Sequence, residues 1–256
     1  MIRETLAKRE AEVQNGFRLR GLREVSRVEA LSDGVFAFAI TLLVVSLEVP
    51  RTFDELLVMM RGFFAFAVTF AMLFHVWHTQ YKFFRRYGLN DNFTIWMTGC
   101  LLFVILFYVY PLKFVWTFLA NLFIRGDPRV RLPDGQLVYP VGRDQTNAMM
   151  IVYGLGFVAV FAIFALLYWH AYRRRGEMEL SELEIYDTKV EAYSSLLYVA
   201  VGLLSVGIAA LHLGGRASSA LSGMIYALLG PVHWLHGRHA NRRRKRIERG
   251  LQEETR

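Results

Sequence analysis

The chain has 256 residues, of which 54% are hydrophobic and only 20% charged, with a formal net charge of +8. A soluble domain carries about 25% charged residues; here the charge is gathered in blocks, and the windows Phe93 to Leu112 and Met149 to Trp169 contain none. Apolar runs of about 20 residues cross a bilayer as a helix, so an ordinary soluble globule is excluded.

The N-terminal stretch "MIRETLAKREAEVQNGFRLRGLREVSR" is polar and of mixed charge. It lacks the short apolar core and small-residue cleavage site of a signal peptide. Residues 1–30 are expected to be a retained cytosolic segment, helical, that leads into the membrane. Six spans follow, at about 31–50, 59–80, 92–122, 147–171, 193–213 and 217–237. "EVPRTFDE" is a tight turn with Asp54 suited to cap the second helix. "KFFRRYGLND" is a basic cluster followed by Gly88 and the candidate caps Asn90 and Asp91. The 123–146 stretch is the longest polar loop, and "YRRRGEMELSELEIYDTKVE" reads as a solvated helical link. "LGGRASS" is a short hairpin. The expected fold is all-α, with a six-helix transmembrane domain over 31–237 and a basic cytosolic tail over 238–256.

With the N-terminus inside, 22 of the 30 Lys and Arg residues fall on the cytoplasmic side and 6 outside; Arg61 and Lys113 lie within spans. This bias places both termini in the cytoplasm. The tail "RHANRRRKRIERG" then reads as an anchor on anionic lipid. No aromatic residues interleave its arginines, which argues against nucleic acid as its partner. The lone cysteine, Cys100, permits no intrachain disulfide.

"RVEALSDGVFAFAITLLVVSLEVP" sets a Ser32–Asp33 pair where the first apolar helix enters the membrane. At about 3.6 residues per turn, Phe38, Leu42 and Val45 share a stripe, with Thr41 beside it and Leu31 and Val35 extending it. Asp33 precedes Phe38 by five residues and is rotated roughly 140° away, at about 100° per residue. The carboxylate and the stripe therefore face different surfaces. If Asp33 faces packed protein, the stripe faces lipid, another subunit or a pore axis. An ionisable group near a span end usually finds a partner. Arg27 and Ser32 are local candidates, and Trp77, His75, His78 and Gln80 lie near the same membrane face. The alternative is a solvated carboxylate at headgroup level.

Arg27, three residues, then Leu31-Ser32-Asp33-Gly34 and "VFAFAIT" resembles the signature of the transmembrane protein 175 family of potassium channels. That signature reads Arg, three residues, Phe-Ser-Asp. "VWHTQYKFF" is similar to the family's Trp, two residues, His, two residues, Phe, with Gln80 at the His position. "LLFVILFYVYPLKF" resembles its proline-containing third span. The likeness covers about the first 115 residues, and the later spans match in number and character. It implies a multi-pass homotetramer of a bacterial plasma membrane, with the first helix lining a central pore, K+ as permeant ion and no cofactor. Phe38, Thr41, Leu42 and Val45 would line the pore. Arg27, Ser32, Asp33, Trp77 and Gln80 would form the network that positions the helix. The family lacks the Thr-Val-Gly-Tyr-Gly carbonyl filter, and so does this chain; selection would come from apolar constrictions, which also gate by dewetting. Leu31 replaces the motif's Phe, and Phe38 stands where an aliphatic residue is expected, offering a π face to a cation.

Other readings are weighed beside this one. His233, His236 and His239 recur every three residues but lack a local carboxylate or cysteine to complete a metal site, and suit an interface better. Arg61 and Lys113 are expected to snorkel or to pair with Asp54 or Glu48. Ser205 with His170 or His233 lacks the Gly-x-Ser-x-Gly elbow of a serine hydrolase, so the chain reads as no enzyme. A proton-coupled transporter would need ionisable groups at mid-membrane depth, where these spans hold essentially none. A non-conducting structural protein of the same fold is the remaining alternative.

Overall fold

A computed structural model describes residues 13–14, 17–21, 25–45, 52–53, 56–57, 60, 63–125, 129–131, 135–142 and 145–254. The side chain of Val45, and Glu48, Asp54 and Arg61 with the roles expected of them, lie outside the described set. The described elements are β1 (Val13–Gln14), β2 (Phe17–Arg18), α1 (Arg27–Val45), α2 (Phe63–Tyr87), α3 (Asn92–Arg125), β3 (Val130–Arg131), β4 (Leu137–Val138), α4 (Thr146–Arg173), α5 (Glu182–Ala210), α6 (Ser218–Ile225) and α7 (Leu229–Glu254). By length and composition, three of them can cross a membrane among the described residues: α3 over Asn92–Leu119, α4, and α5.

The described part of the N-terminal segment is not the expected helix. β1 and β2 pair antiparallel, and the chain beyond them is stitched to the helical ends. Phe17 is buried, edge-on to Tyr87 with ring centroids 5.5 Å apart. Arg20 forks onto Glu184 of α5 through two hydrogen bonds of 3.0 and 2.9 Å. Its Nε donates to the Met178 carbonyl. Gly21 lies so close to α2 that a Cβ there would sit 2.3 Å from the Phe84 carbonyl oxygen. A buried aromatic and a charged fork with its lone pairs satisfied outweigh local helix propensity.

Helix starts follow from local side chains. Ser26 and Glu29 form a reciprocal capping box at α1, each accepting from the other's backbone N–H at 3.2 Å. Ser181 and Glu184 do the same at α5. That helix therefore begins at Glu182, and the expected helical link is continuous with the fifth span. Asp91 starts α3, its carboxylate accepting from the Thr94 hydroxyl, and it also meets His170 Nε2 at 2.7 Å and Arg174 Nη1 at 3.4 Å. One carboxylate so ties the start of α3 to the end of α4.

The sixth span is not one unbroken helix as expected. α6 ends at Ile225, a 3-10 turn covers Tyr226–Leu228, and α7 runs on through the basic tail to Glu254. Gly230-Pro231 supplies the reason, since Pro231 has no N–H to give and its ring crowds the preceding turn. In the outer loop, β3 and β4 form a small antiparallel hairpin, with Gly135 at a φ of 86° in its turn.

α4 and α5 pack tightly through glycine: a Cβ on Gly202 would lie 2.6 Å from Val158 Cγ2, and one on Gly154 2.5 Å from Val206 Cγ2. Small residues at such contacts let membrane helices approach closely. α1 packs on α2 and α3, adding Phe36, Ala39 and Leu43 to a core with Leu73, Phe83, Leu101 and Ile105.

Burial opposes ionisation of Asp91, but the hydrogen bonds from Thr94 and His170 outweigh it and hold the carboxyl below its ordinary value. A depressed folded value means that the contribution to stability is complete above the usual carboxylate value of about 3.9 and is lost as pH falls through the folded one. Thermal unfolding in detergent as a function of pH is expected to show Asp91→Asn less stable than the parent at neutral pH, with the gap closing in acid.

Candidate functional site

Ser32 is 2% exposed and Gln80 is 2% exposed, facing each other where α1 crosses α2. Ser32 Oγ donates to the Val28 carbonyl at 2.7 Å and accepts from Gln80 Nε2 at 3.2 Å. One residue on, Asp33 Oδ1 accepts from the Trp77 indole N–H at 2.8 Å. Trp77 and Gln80 lie three apart and so share a face of α2, and consecutive residues of α1 reach both. Gln80 therefore occupies the expected His position with a donor of its own. Gln80 Oε1 is buried with no hydrogen-bond partner among the described residues. Arg27 is exposed on the first turn of α1 and makes no hydrogen bond or ion pair among the described residues; the geometry joins Ser32, Asp33, Trp77 and Gln80 but not Arg27.

The opposite end of α1 is held by a residue that the sequence alone assigned elsewhere. Lys113 Nζ of α3 donates to the Leu43 carbonyl at 3.0 Å. Its expected partners Asp54 and Glu48 lie outside the described residues. The only signal in the sequence was a lone cation in an apolar run, which had to satisfy its donors inside the membrane.

Between these two anchors α1 has two unlike faces. Ser32, Phe36, Ala39 and Leu43 are buried against α2 and α3. Leu31, Gly34, Ala37, Phe38 and Thr41 are exposed, Phe38 at 58%. Thr41 Oγ1 donates to the Phe38 carbonyl at 2.8 Å, so its donor is consumed within the helix. Leu42 is half-buried at the edge of this face. Asp33 is exposed as well, so its carboxylate meets Trp77 at the surface of the chain and is not enclosed by packed protein. An apolar face of this kind beside a polar-anchored one marks a helix whose remaining neighbour is not among the described residues.

The other constellations take structural roles. Ser205 is fully buried and bonds Ser222 Oγ at 2.8 Å, joining α5 to α6. His233 Nδ1 meets Tyr198 Oη at 2.7 Å, and His239 Nδ1 meets the Leu235 carbonyl at 2.9 Å. Among the described residues no group of three His, Cys, Asp or Glu is placed to hold a metal ion.

Apolar helices of spanning length, with a polar contact holding the first described helix to the second, define a helical integral membrane protein. The comparisons with known proteins narrow this. A profile of the family described as "Endosomal/lysosomal potassium channel TMEM175" matches residues 27–108, which hold both the clamp and the exposed face. A relative named "Potassium channel" from Marivirga tractuosa is 38% identical over 232 residues, covering 90% of this chain and 93% of the relative. A potassium channel of Chamaesiphon minutus is 33% identical over 96 residues, 34% of this chain and 47% of that relative. The crystal structure of a variant of the potassium channel MtTMEM175, bound to a nanobody–MBP fusion, matches with a TM-score of 0.77 at 38% identity, covering 90% of this chain and 99% of that one. The chain belongs to the TMEM175 family of potassium channels.

A double-mutant cycle tests the clamp. Asp33→Ala and Trp77→Phe are each expected to cost about 0.5–1.5 kcal/mol, the net worth of a typical intramolecular hydrogen bond. The double variant is expected to lose about 1 kcal/mol less than the sum, read from thermal unfolding in detergent.

Proposed function

We propose that the protein is a K+-preferring cation channel, a homotetramer whose four copies of α1 meet about a central axis and line the pore. Six spans with both termini in the cytoplasm, in a bacterial plasma membrane, complete the topology. The observation that carries this reading is the apolar face of α1, exposed between two anchors that fix which way it points. Phe38, Thr41, Leu42 and Val45 line the pore in this arrangement, and Ser32, Asp33, Trp77 and Gln80 position the helix; Lys113 joins them at the far end, and Arg27 acts at the helix entrance. Family membership and the names of the relatives supply the ion.

An ion passing a ring of four Phe38 side chains sheds part of its water. K+ holds its shell less tightly than Na+, so a narrow apolar ring favours it, and the same ring closes the path when it dewets. The phenyl faces replace part of the lost hydration by cation–π attraction. The basic tail holds the cytoplasmic side on anionic lipid.

Purified protein in liposomes is expected to pass K+ down its gradient with no dependence on a proton gradient; flux that saturates and follows protons would make it a transporter instead. Phe38→Ala is expected to lower the K+ over Na+ permeability ratio about two- to fivefold, the equivalent of the roughly 0.5–1 kcal/mol that a ring face gives a cation. An unchanged reversal potential in that variant removes Phe38 from the pore. Asp33→Ala is expected to reduce recovery of the tetramer on size exclusion, and normal assembly would deny the clamp its positioning role.

A further inference from the structure

α5 and α7 run antiparallel side by side. Tyr186 Oη donates to the Ala240 carbonyl at 3.1 Å, Arg244 Nε meets Asp187 at 3.2 Å, and Tyr198 meets His233 further along. The two helices diverge enough to leave a groove of about 1130 Å³. Its polar lining is Lys189, His236, His239, Arg242, Arg243 and Arg246, and no acidic residue lines it.

The absence of acids there is a consequence of helical phase. On α5 the carboxylates of Glu184, Asp187 and Glu191 are drawn to other partners: Glu184 to Arg20, Asp187 to Arg244, and Glu191 to Arg86 at 3.2 Å. Tyr186, Lys189, Val190 and Tyr193, at helical spacing on a different face, are what α5 gives to the groove. These three acids are thus committed elsewhere, and the four cations line the groove with no carboxylate among the lining residues. His236 Nε2, on the same wall, is buried without a hydrogen-bond partner among the described residues. Such a site attracts an anion with several acceptor oxygens.

The surroundings favour a lipid as the source of that anion. Towards the membrane from the groove, Tyr193 and Leu196 of α5 and Leu235 of α7, in phase with the lining residues, are exposed. Amphipathic aromatics and bare leucines in such a belt mark the headgroup level, with acyl chains on one side and water on the other. We infer that the groove between α5 and α7 is a site for the phosphate of an anionic phospholipid headgroup. Its phosphate oxygens are held by Lys189, Arg242, Arg243 and Arg246, and its acyl chains lie along Tyr193, Leu196 and Leu235. The inference rests on the reading of the tail as lipid-associated and turns a diffuse attraction into a formed pocket.

Native mass spectrometry of the full-length protein, released from mixtures of phosphatidylcholine with phosphatidylglycerol or cardiolipin, tests it. Lys189→Gln/Arg243→Gln removes two groove cations; Lys245→Gln/Arg249→Gln removes two from the same helical region outside the groove. Thermal unfolding checks that both variants fold. Retention of the anionic lipid is expected to fall at least tenfold in the first and less than twofold in the second. Equal losses in the two overturn the groove and leave the tail reading standing; no loss in either overturns both. Displacement of the lipid by soluble glycerol phosphate at matched concentration would assign the site to a free phosphate and overturn the lipid source.

Discussion

On the proposed reading, the hydrogen bond from the Trp77 indole to Asp33, with the Gln80–Ser32 contact beside it, sets the rotation of α1. In lipid no hydrophobic force decides which apolar face of a helix turns inward, because lipid tails are as apolar as leucine. Phe36 and Phe38 are equally acceptable to a hydrocarbon neighbour. Only a polar contact discriminates between them, and this one places Phe36 in the core and Phe38 outside it. The bond from Lys113 to the Leu43 carbonyl adds a second constraint about three turns away along α1. Everything proposed for permeation follows from that choice of face.

The ends of the helices grouped on the expected cytoplasmic side form a second, more polar layer. Phe17 and Arg20 carry the N-terminal hairpin onto Tyr87 and Glu184, and Asp91 bridges α3 to α4 through His170 and Arg174. This layer consumes most of the carboxylates near it. Basic residues of α7 are left in excess, so the membrane-facing electrostatics of the chain are a by-product of how its collar is held together.

That α1 has unlike faces was legible in the sequence, because a carboxylate and an apolar stripe at fixed spacing cannot share a face; that Asp33 stays exposed was not. Partners of Asp33 and Ser32 were legible too, since Trp77 and Gln80 are among the few polar groups on the next span. The anchor at Lys113 was not, because a backbone carbonyl acceptor leaves no mark in the sequence. Nor was the Arg20–Glu184 fork, whose residues are 164 apart, and it replaced an expected helix with a hairpin. Two features were written in the sequence in plain form: the Ser-x-x-Glu capping boxes at Ser26 and Ser181, and the Gly230-Pro231 break. Apolar length dominated both positions, and a window long enough to span a membrane conceals a single residue without an N–H.

The central claim is that the exposed face of α1 meets copies of itself. Oxidative cross-linking in native membranes reads this directly, with cysteine placed at Phe38 in a Cys100→Ala background and, for comparison, at the exposed Phe107 of α3. Rapid disulfide-linked dimers from the first site and background levels from the second are the predicted result. Cross-linking at position 38 no faster than at 107 would put that face of α1 against lipid and contradict the account.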